Sequence, residues 1–407
     1  LQFLFRMSPQ WIDDDAALDL AIDEILAEDR YAIDTEFHRE KTYYPQLALV
    51  QIAWADKIAL IDPLAITPQK LARLFNSQVL AVVHAAQQDL EVLQHACGAA
   101  PQRIFDTQLS AGFLGFSTPS LASLVQGEFK VALPKADRLT DWLRRPLTKD
   151  QIAYAASDVE YLFEMHGRFT QRLVERGRET WAADACEDLR LRQSGPTDPL
   201  QAWLKIKEAR ALRGKSRGVA QAVAQWRELK AMGADIPVRR VLSDMALMAI
   251  AQKMPDTEVE LLQARGVESR QVGGSVAREI VAAVIDGRGR DVRLPISDLD
   301  DVERDLRPAI TLISAWVAEL ARKNSIDVSL LCTRNDINAL LRGQSDARLA
   351  HGWRAQILGD DIKRIISGHA GLSFDIKGGL RLLDTTPEVA KDLTGSATSD
   401  TANQTPN

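Results

Sequence analysis

Five side chains within the first 160 positions have the types and the spacing to do chemistry together. Asp34 and Glu36 stand two apart in Ala32-Ile33-Asp34-Thr35-Glu36-Phe37. Asp89 closes His84-Ala85-Ala86-Gln87-Gln88-Asp89, and Tyr154 precedes Asp158 by four positions. A small group of carboxylates is what phosphodiester hydrolysis by two divalent cations requires. Like charges held close repel, so such a group calls for a cation among them. A tyrosine of ordinary pKa, about 10, is a poor base at neutral pH. Its hydroxyl would orient an attacking water, while the proton would leave a metal-bound water.

The elements that must position these groups can be read from periodicity. Tyr31-Ala32-Ile33 reads as a short buried strand, which places Asp34 and Glu36 on one face at its end. An isolated Asp-x-Glu is also what a solvated strand edge looks like. Thr148-Lys149-Asp150 is a helix start, and Ile152, Ala155, Ala156, Val159 and Leu162 supply an apolar stripe behind it. On that helix Tyr154 and Asp158 are neighbours on one face. Residues 88–96 have helical spacing, so Asp89 falls early in another helix. A helix is expected over 13–27, and strands over 47–53 and 57–61. Short strands at 80–83 and 104–105 then alternate with helices at 69–75 and 85–96. Early strands followed by strand–helix alternation predict an α/β fold, a mixed sheet flanked by helices.

Together, in this order, the five residues resemble the DEDD superfamily of 3′→5′ exonucleases, in the subgroup whose third motif is Tyr-x-x-x-Asp. Flanking residues sharpen the resemblance to the ribonuclease D family: the run from Tyr43-Tyr44-Pro45-Gln46 to Gln51-Ile52-Ala53, His84 ahead of Asp89, and Phe105-Asp106-Thr107. The resemblance covers about residues 7–190 and continues into the C-terminal half. It implies a ribonuclease H-like exonuclease domain over 1–195. It also implies two divalent cations, Mg²⁺ or Mn²⁺, bridged by Asp34. Glu36 and Asp158 would complete the site of the nucleophilic water, Asp89 would support the second ion, and Tyr154 would orient the water. The implied substrate is RNA, tRNA precursors foremost, trimmed from the 3′ end to nucleoside 5′-monophosphates. Thr35, Phe37 and His84 are candidates to contact the terminal nucleotide.

Ser194-Gly195-Pro196-Thr197-Asp198-Pro199 breaks the pattern and reads as a linker. From there to about residue 369 the periodicity is helical, with a faint internal repeat. Trp226, Ile236, Val238, Val241, Ser243, Leu247 and Ile250 recur 90 positions later as Trp316, Ile326, Val328, Leu331, Thr333, Ile337 and Leu340. Gly287-Arg288-Gly289-Arg290-Asp291 through Pro295 reads as the linker between the copies. We therefore expect two all-α bundles, at 200–286 and 295–375, then a tail over 376–407 that is disordered from about 388. Ile236-Pro237-Val238-Arg239-Arg240-Val241-Leu242-Ser243-Asp244 makes the first bundle resemble the HRDC domain. The second lacks the proline and is more diverged, an HRDC-like copy.

Charge assigns the first bundle a nucleic-acid role. Residues 203–240 hold ten Lys and Arg against three acids, a local net of +7 in a chain whose formal charge is −6. Lys205, Lys207, Arg210, Arg213, Lys215, Arg217, Arg239 and Arg240 are the candidate phosphate contacts, with Arg227 and Lys230 completing the ten. A smaller set, Lys130, Lys135, Arg138, Arg144, Arg145 and Lys149, precedes the Tyr154 helix and could guide a strand to the metals.

Composition narrows the class further. A length of 407 residues allows two to three domains, and 46% hydrophobic residues suffice for real cores. No apolar run approaches the roughly 18 residues that span a bilayer. Residues 1–5 are too short for a secretory segment, and Met7 is the expected native start. Cys97, Cys186 and Cys332 are far apart and suggest reduced core residues, with neither disulfide nor zinc. Gly214-Lys215-Ser216 matches the end of a P-loop, but Ala209 stands where its first glycine must be, so ATP is not expected. A cytoplasmic, monomeric enzyme is the expectation. A DNA exonuclease would use the same carboxylates, because discrimination rests on 2′-hydroxyl contacts. A non-catalytic RNA adaptor is disfavoured by the intact set of five.

Overall fold

The apolar runs of the first hundred residues form one sheet, and their period-2 alternation decides which helix each side chain faces. The computed structural model describes residues 8–134, 140–192, 195–268, 272–294, 300–376 and 378–385. Its first elements are β1 (Gln10–Ile12), α1 (Asp15–Leu26), β2 (Arg30–His38), β3 (Gln46–Trp54) and β4 (Lys57–Ile61). A 3-10 turn leads to α2 (Ala72–Phe75), followed by β5 (Leu80–Val83), α3 (Gln87–Cys97) and β6 (Ile104–Asp106). The sheet order is β1-β4-β3-β2-β5-β6. β2, β3 and β4 pair antiparallel, while β1 with β4, β2 with β5 and β5 with β6 pair parallel. This is the mixed sheet expected. β1 was not foreseen, because three residues are too few to show a period.

The two faces of the sheet are packed differently. Tyr31, Ile33, Val50 and Ile52 share a core with Leu18, Ile22 and Ile25 of α1 and Leu90 and Leu93 of α3. Ala32, Ala53 and Val82, on the opposite face, pack against Ala156 and Val159. Those two residues belong to the third of a run of helices: α4 (Thr107–Phe113), α5 (Leu121–Phe129), α6 (Lys149–Glu160), α7 (Leu162–Glu175) and α8 (Glu179–Leu191). Thr148 starts α6 with a capping box in which Gln151 is the reciprocal partner. The apolar stripe expected to continue through Leu162 is split, since the chain turns at Tyr161 and Leu162 opens α7.

Past two 3-10 turns, the first helical bundle contains α9 (Gly214–Ala234), α10 (Val238–Val241), α11 (Asp244–Lys253), α12 (Glu258–Leu262) and α13 (Ser275–Arg288). Gly287 and Arg288 therefore belong to a helix, which corrects the expected linker. A Cβ on Gly287 would lie 2.5 Å from Val219 Cα, and one on Gly218 would lie 2.2 Å from the Gly287 carbonyl oxygen. These glycines let α9 and α13 cross in backbone contact. Glycine read as flexibility was here a packing requirement.

The repeat survives as matching elements. α14 (Asp300–Asn324), α15 (Val328–Leu331), α16 (Arg334–Leu341) and α17 (Gly352–Ile366) follow. Ser243 caps α11 and Thr333 caps α16. Trp226 Nε1 donates to Glu279 at 2.8 Å, and its counterpart Trp316 donates to Asp361 at 3.2 Å. The second copy adds an antiparallel hairpin, β7 (Ala370–Phe374) and β8 (Leu380–Asp384). That corrects the expectation of a tail from 376 and of an all-α bundle. The strands are five residues each, joined through Gly378 at φ +85°, and only β7 had lain within the expected bundle. Residues 1–7, with the expected start at Met7, and the tail from 386 lie outside the described residues, as do Lys135 and Arg138.

Leu1–Asp300 with Ser325–Leu330 make one compact unit, and Asp301–Asn324 with Leu331–Asn407 the other. The 1–195 and 200–286 segments thus share a unit. Among the described residues no helix is long and apolar enough to cross a membrane.

Candidate active site

β2 is the central scaffold. Its alternation turns Asp34 and Glu36 toward the side of the sheet that packs on α6. On α6, Tyr154 and Asp158 lie one turn apart on the same face. One carboxylate oxygen from each of Asp34, Glu36 and Asp158 falls within 4.8 Å of the others. The β2–β3 register slips between Glu36 and Phe37, a bulge at the site's edge beyond which pairing resumes at Phe37–Leu47 and His38–Gln46.

Asp89 arrives by a different route. It sits in the first turn of α3, where the helix dipole favours a carboxylate. The turn that delivers it contains Ala85 at φ +56° and is pinned by Asp106, which accepts from the backbone N–H of Ala85 at 3.2 Å and of Ala86 at 3.0 Å. Asp106 also caps α4 through Gln108 and Leu109. The Thr35 hydroxyl then donates to Asp89 Oδ1 at 2.5 Å. Asp89 stands outside the tight triplet yet is the neighbouring charge that acts most strongly on Asp34.

Electrostatics follow from this crowding. Burial, then Asp89, Asp158 and Glu36 in turn, holds the Asp34 carboxyl well above the ordinary range. Burial followed by Asp158 and Asp89 pushes Glu36 up to about 8. Burial raises Asp158 to about 7, with the Tyr154 hydroxyl pulling the other way and Asp89 adding to the rise. Asp89 is lifted least, to about 6, because Thr35 opposes the burial that raises it. Burial and the three neighbouring carboxylates push the Tyr154 hydroxyl far up, so it stays protonated.

Whether a metal fits can be judged from the donors. Asp158 Oδ2 is buried with no hydrogen-bond partner among the described residues, an acceptor that a native fold rarely leaves idle. Every available donor atom is a carboxylate oxygen, the ligand type of hard divalent cations. The residues fit a divalent ion held by Asp34, Glu36 and Asp158.

The other expected contacts have specific surroundings. Thr35 is 6% exposed and its hydroxyl is committed to Asp89, so its evident task is to position a carboxylate. Phe37 is half-buried against the α1–α3 core, with the Arg39 guanidinium 5.4 Å from its ring centroid. His84 Nδ1 lies 2.9 Å from Thr107 Oγ1, which itself donates to the Val83 carbonyl. Burial pushes the His84 ring below its ordinary pKa, against the pull of Asp106.

Among the basic residues, Lys205, Lys207, Arg210, Arg213, Lys215, Arg239 and Arg240 are exposed. Arg217 is half-buried and donates to the carbonyls of Leu212 at 2.8 Å and Val292 at 3.3 Å. Arg227 is 3% exposed and pairs with Asp244 at 2.8 Å. Arg145, expected to guide a strand, instead clasps Asp62 with Nε at 2.7 Å and Nη2 at 2.6 Å, and also donates to the carbonyls of Ala48 and Trp142. That clasp fixes the segment whose Trp142 ring lies 6.0 Å from Tyr154. These three arginines hold the fold.

Two contributors were missed from sequence. Gln51 pairs across from Asp34 in the sheet and is fully buried, with both amide atoms unpartnered among the described residues. A polar residue inside the apolar run 47–53 was its signal. Asp106 was noticed only as part of a motif, without its role at the turn.

A family profile described as 3′-5′ exonuclease matches residues 9–174, and one described as HRDC domain matches 216–284. Ribonuclease D of Acidiphilium cryptum is 32% identical over 379 residues, spanning 90% of this chain and 95% of that protein. Ribonuclease D of Serratia proteamaculans is 33% identical, spanning 89% of this chain and all of that one. The crystal structure of Escherichia coli RNase D, described as an exoribonuclease involved in structured RNA processing, superposes with a TM-score of 0.79 at 31% identity, covering 89% of this chain and all of that chain.

Proposed function

Since this chain belongs to the ribonuclease D family, we propose that it is a 3′→5′ exoribonuclease that trims RNA 3′ ends, tRNA precursors among them, to nucleoside 5′-monophosphates. The observation that carries this reading is the carboxylate triplet with its unpartnered Asp158 oxygen beside a protonated tyrosine. Asp34, Glu36 and Asp158 would hold divalent cations, two in number and Mg²⁺ or Mn²⁺ in identity, with Asp89 supporting one of them. When bound, the ions supply a water of lowered pKa and neutralise charge on the phosphate. Tyr154, whose hydroxyl keeps its proton, would orient such a water by hydrogen bonding. Thr35 holds Asp89 in place, and the exposed cations of the first bundle attract the body of the RNA. The second bundle is read as HRDC-like from the repeat. We place the enzyme in the cytoplasm as a monomer.

The test is end-labelled tRNA precursor and a matched DNA strand, each incubated with Mg²⁺, with Mn²⁺ and with chelator. Stepwise shortening of the RNA from its 3′ end with release of 5′-monophosphates, abolished by chelator, is expected. Faster digestion of the DNA, internal cuts, or activity that survives chelation would overturn the reading.

A further inference from the structure

A cavity of about 490 Å³ lies beside the catalytic strand and is not part of the carboxylate cluster. It opens between the loop that follows β2, the later turns of α3, and the first bundle at Glu228, Pro237 and Val238. Its volume falls in the range that holds a small organic ligand. Its aromatic wall is built. The rings of Tyr44 and His95 stack in parallel with centroids 4.3 Å apart and planes 6° apart, and Tyr43 meets Tyr44 edge-on at 4.9 Å. His95 is exposed, which leaves ring surface open to a further stacking partner.

The charges of this cavity differ from those of a phosphate grip. Arg39 and Lys205 line it, but so do Glu91 and Glu228. Arg39 is paired with Glu91 at 2.7 Å, and Glu228 accepts from the Tyr43 hydroxyl at 2.7 Å. Formal charge nearly cancels, so little attraction for a bare phosphate remains. A planar, uncharged, hydrogen-bonding group is what parallel rings with nearby amide and carboxylate acceptors suit best. A nucleobase has that chemistry, and stacking tolerates any base because each has a π-face.

Position selects which base. His95 lies six residues after Asp89 on α3, about 9 Å along the helix axis. A short run of single-stranded RNA spans that step. We propose that this cavity is a second subsite of the enzyme, stacking an unpaired base of the substrate upstream of the bond being cut. This rests on the exoribonuclease reading above. The subsite would add affinity for an unpaired 3′ run without adding salt dependence, whereas the exposed cations of the bundle respond to salt. Substrates whose duplex begins too near the 3′ end could not reach it.

The experiment uses the full chain carrying Asp34→Asn, so that RNA is held without being cut. Single-stranded RNAs carry a fluorescent adenine analogue, 2-aminopurine, at successive positions from the 3′ end. Binding is followed by anisotropy and stacking by quenching. The expected result is quenching at one or two internal positions, lost when His95→Ala is added, with affinity for these RNAs falling between about five-fold and a hundred-fold. Arg39→Ala, on the same rim, should shift the quenching because it frees Glu91. His95 is exposed, and an unchanged melting temperature of each variant secures the comparison. Quenching confined to the terminal position, or internal quenching that survives His95→Ala, would overturn the subsite while leaving the exoribonuclease reading intact. RNA that fails to bind at any length would overturn both. Binding of free nucleoside monophosphate at His95 without internal quenching would assign the cavity to product and also overturn the proposal.

Discussion

Asp158→Asn should make the metal-free protein more stable while removing its activity. Asp158 is 8% exposed, with a folded pKa of about 7 against an ordinary value of 3.8. Because the folded value is the higher, both states are protonated below about pH 4 and the residue then costs nothing. As pH rises, the unfolded chain loses its proton first, so stability falls until pH passes the folded value. At pH 7 this linkage amounts to roughly 3–4 kcal/mol. Part of that belongs to groups titrating with it, so replacing one carboxylate should recover about 2 kcal/mol. For a domain of this size that is a melting temperature higher by about 4–8 °C. The assay is thermal unfolding of both proteins with chelator at pH 8 and at pH 4.5, then with excess Mg²⁺ or Mn²⁺ at pH 8. The variant should lead at pH 8 with chelator, and the lead should shrink toward zero at pH 4.5. Added cation should raise the wild type far more than the variant. A variant that melts with or below the wild type in chelator at pH 8 would refute the claim that these carboxylates are held together against their own repulsion.

Four further outcomes follow from the same geometry. Divalent binding must expel the protons that crowding retains on Asp34 and Glu36, so calorimetry at pH 7 in buffers of different ionisation enthalpy should register release of about two protons. Affinity should strengthen from pH 6 to pH 9, and release near zero at pH 7 would contradict the raised values. Tyr154→Phe should slow hydrolysis less than Asp158→Asn, since only an orienting hydroxyl goes; equal losses in single-turnover rates would give that hydroxyl a larger part. Asp235→Ala should lower activity on short single-stranded RNA without changing the salt slope, because Asp235 Oδ1 accepts from the backbone of Tyr43 and of Tyr44, each at 3.0 Å, and so ties down the loop after β2. A truncation ending near residue 194 should lose that tie and also show a shallower salt dependence on tRNA, by about 0.7–0.9 per lost phosphate contact.

What was legible in the sequence was whatever depends on short spacing. Asp34 and Glu36 share a face because a strand has period 2, and Tyr154 and Asp158 share one because a helix brings i and i+4 together. Thr148 and Gln151 announce a helix start, and α15 and α16 of the second copy begin 90 positions after α10 and α11 of the first. Side-chain commitments across long separations were not legible. Arg145 and Asp62 are 83 positions apart, and Tyr43 and Glu228 are 185 apart. Nothing local distinguishes an arginine that will clasp a carboxylate from one that will face solvent. Gly287 was misjudged for the same reason, since its meaning lies in the helix that crosses it. The hairpin at 370–384 escaped because two five-residue strands carry too little alternation to compete with the helical pattern before them.

The route taken by Asp89 explains why the four carboxylates differ. Three acids on one face of the β2–α6 layer already repel one another, and a fourth from the same side would crowd them further. Asp89 instead comes from α3, on the opposite side of the sheet, past the end of β5 at Val83 while β2 runs on to His38. Thr35 faces that side by the same alternation that turns Asp34 away from it, and its hydroxyl meets the incoming carboxylate. With a donor and a helix N-terminus to stabilise its charge, Asp89 is the acid of the group most readily ionised near neutrality. Asp34 and Glu36 keep their protons until a cation displaces them. The order of ionisation is thus set by which face of β2 each partner approaches. Thr35→Val, which keeps the shape and removes the donor, would blur that order by raising Asp89 toward its neighbours.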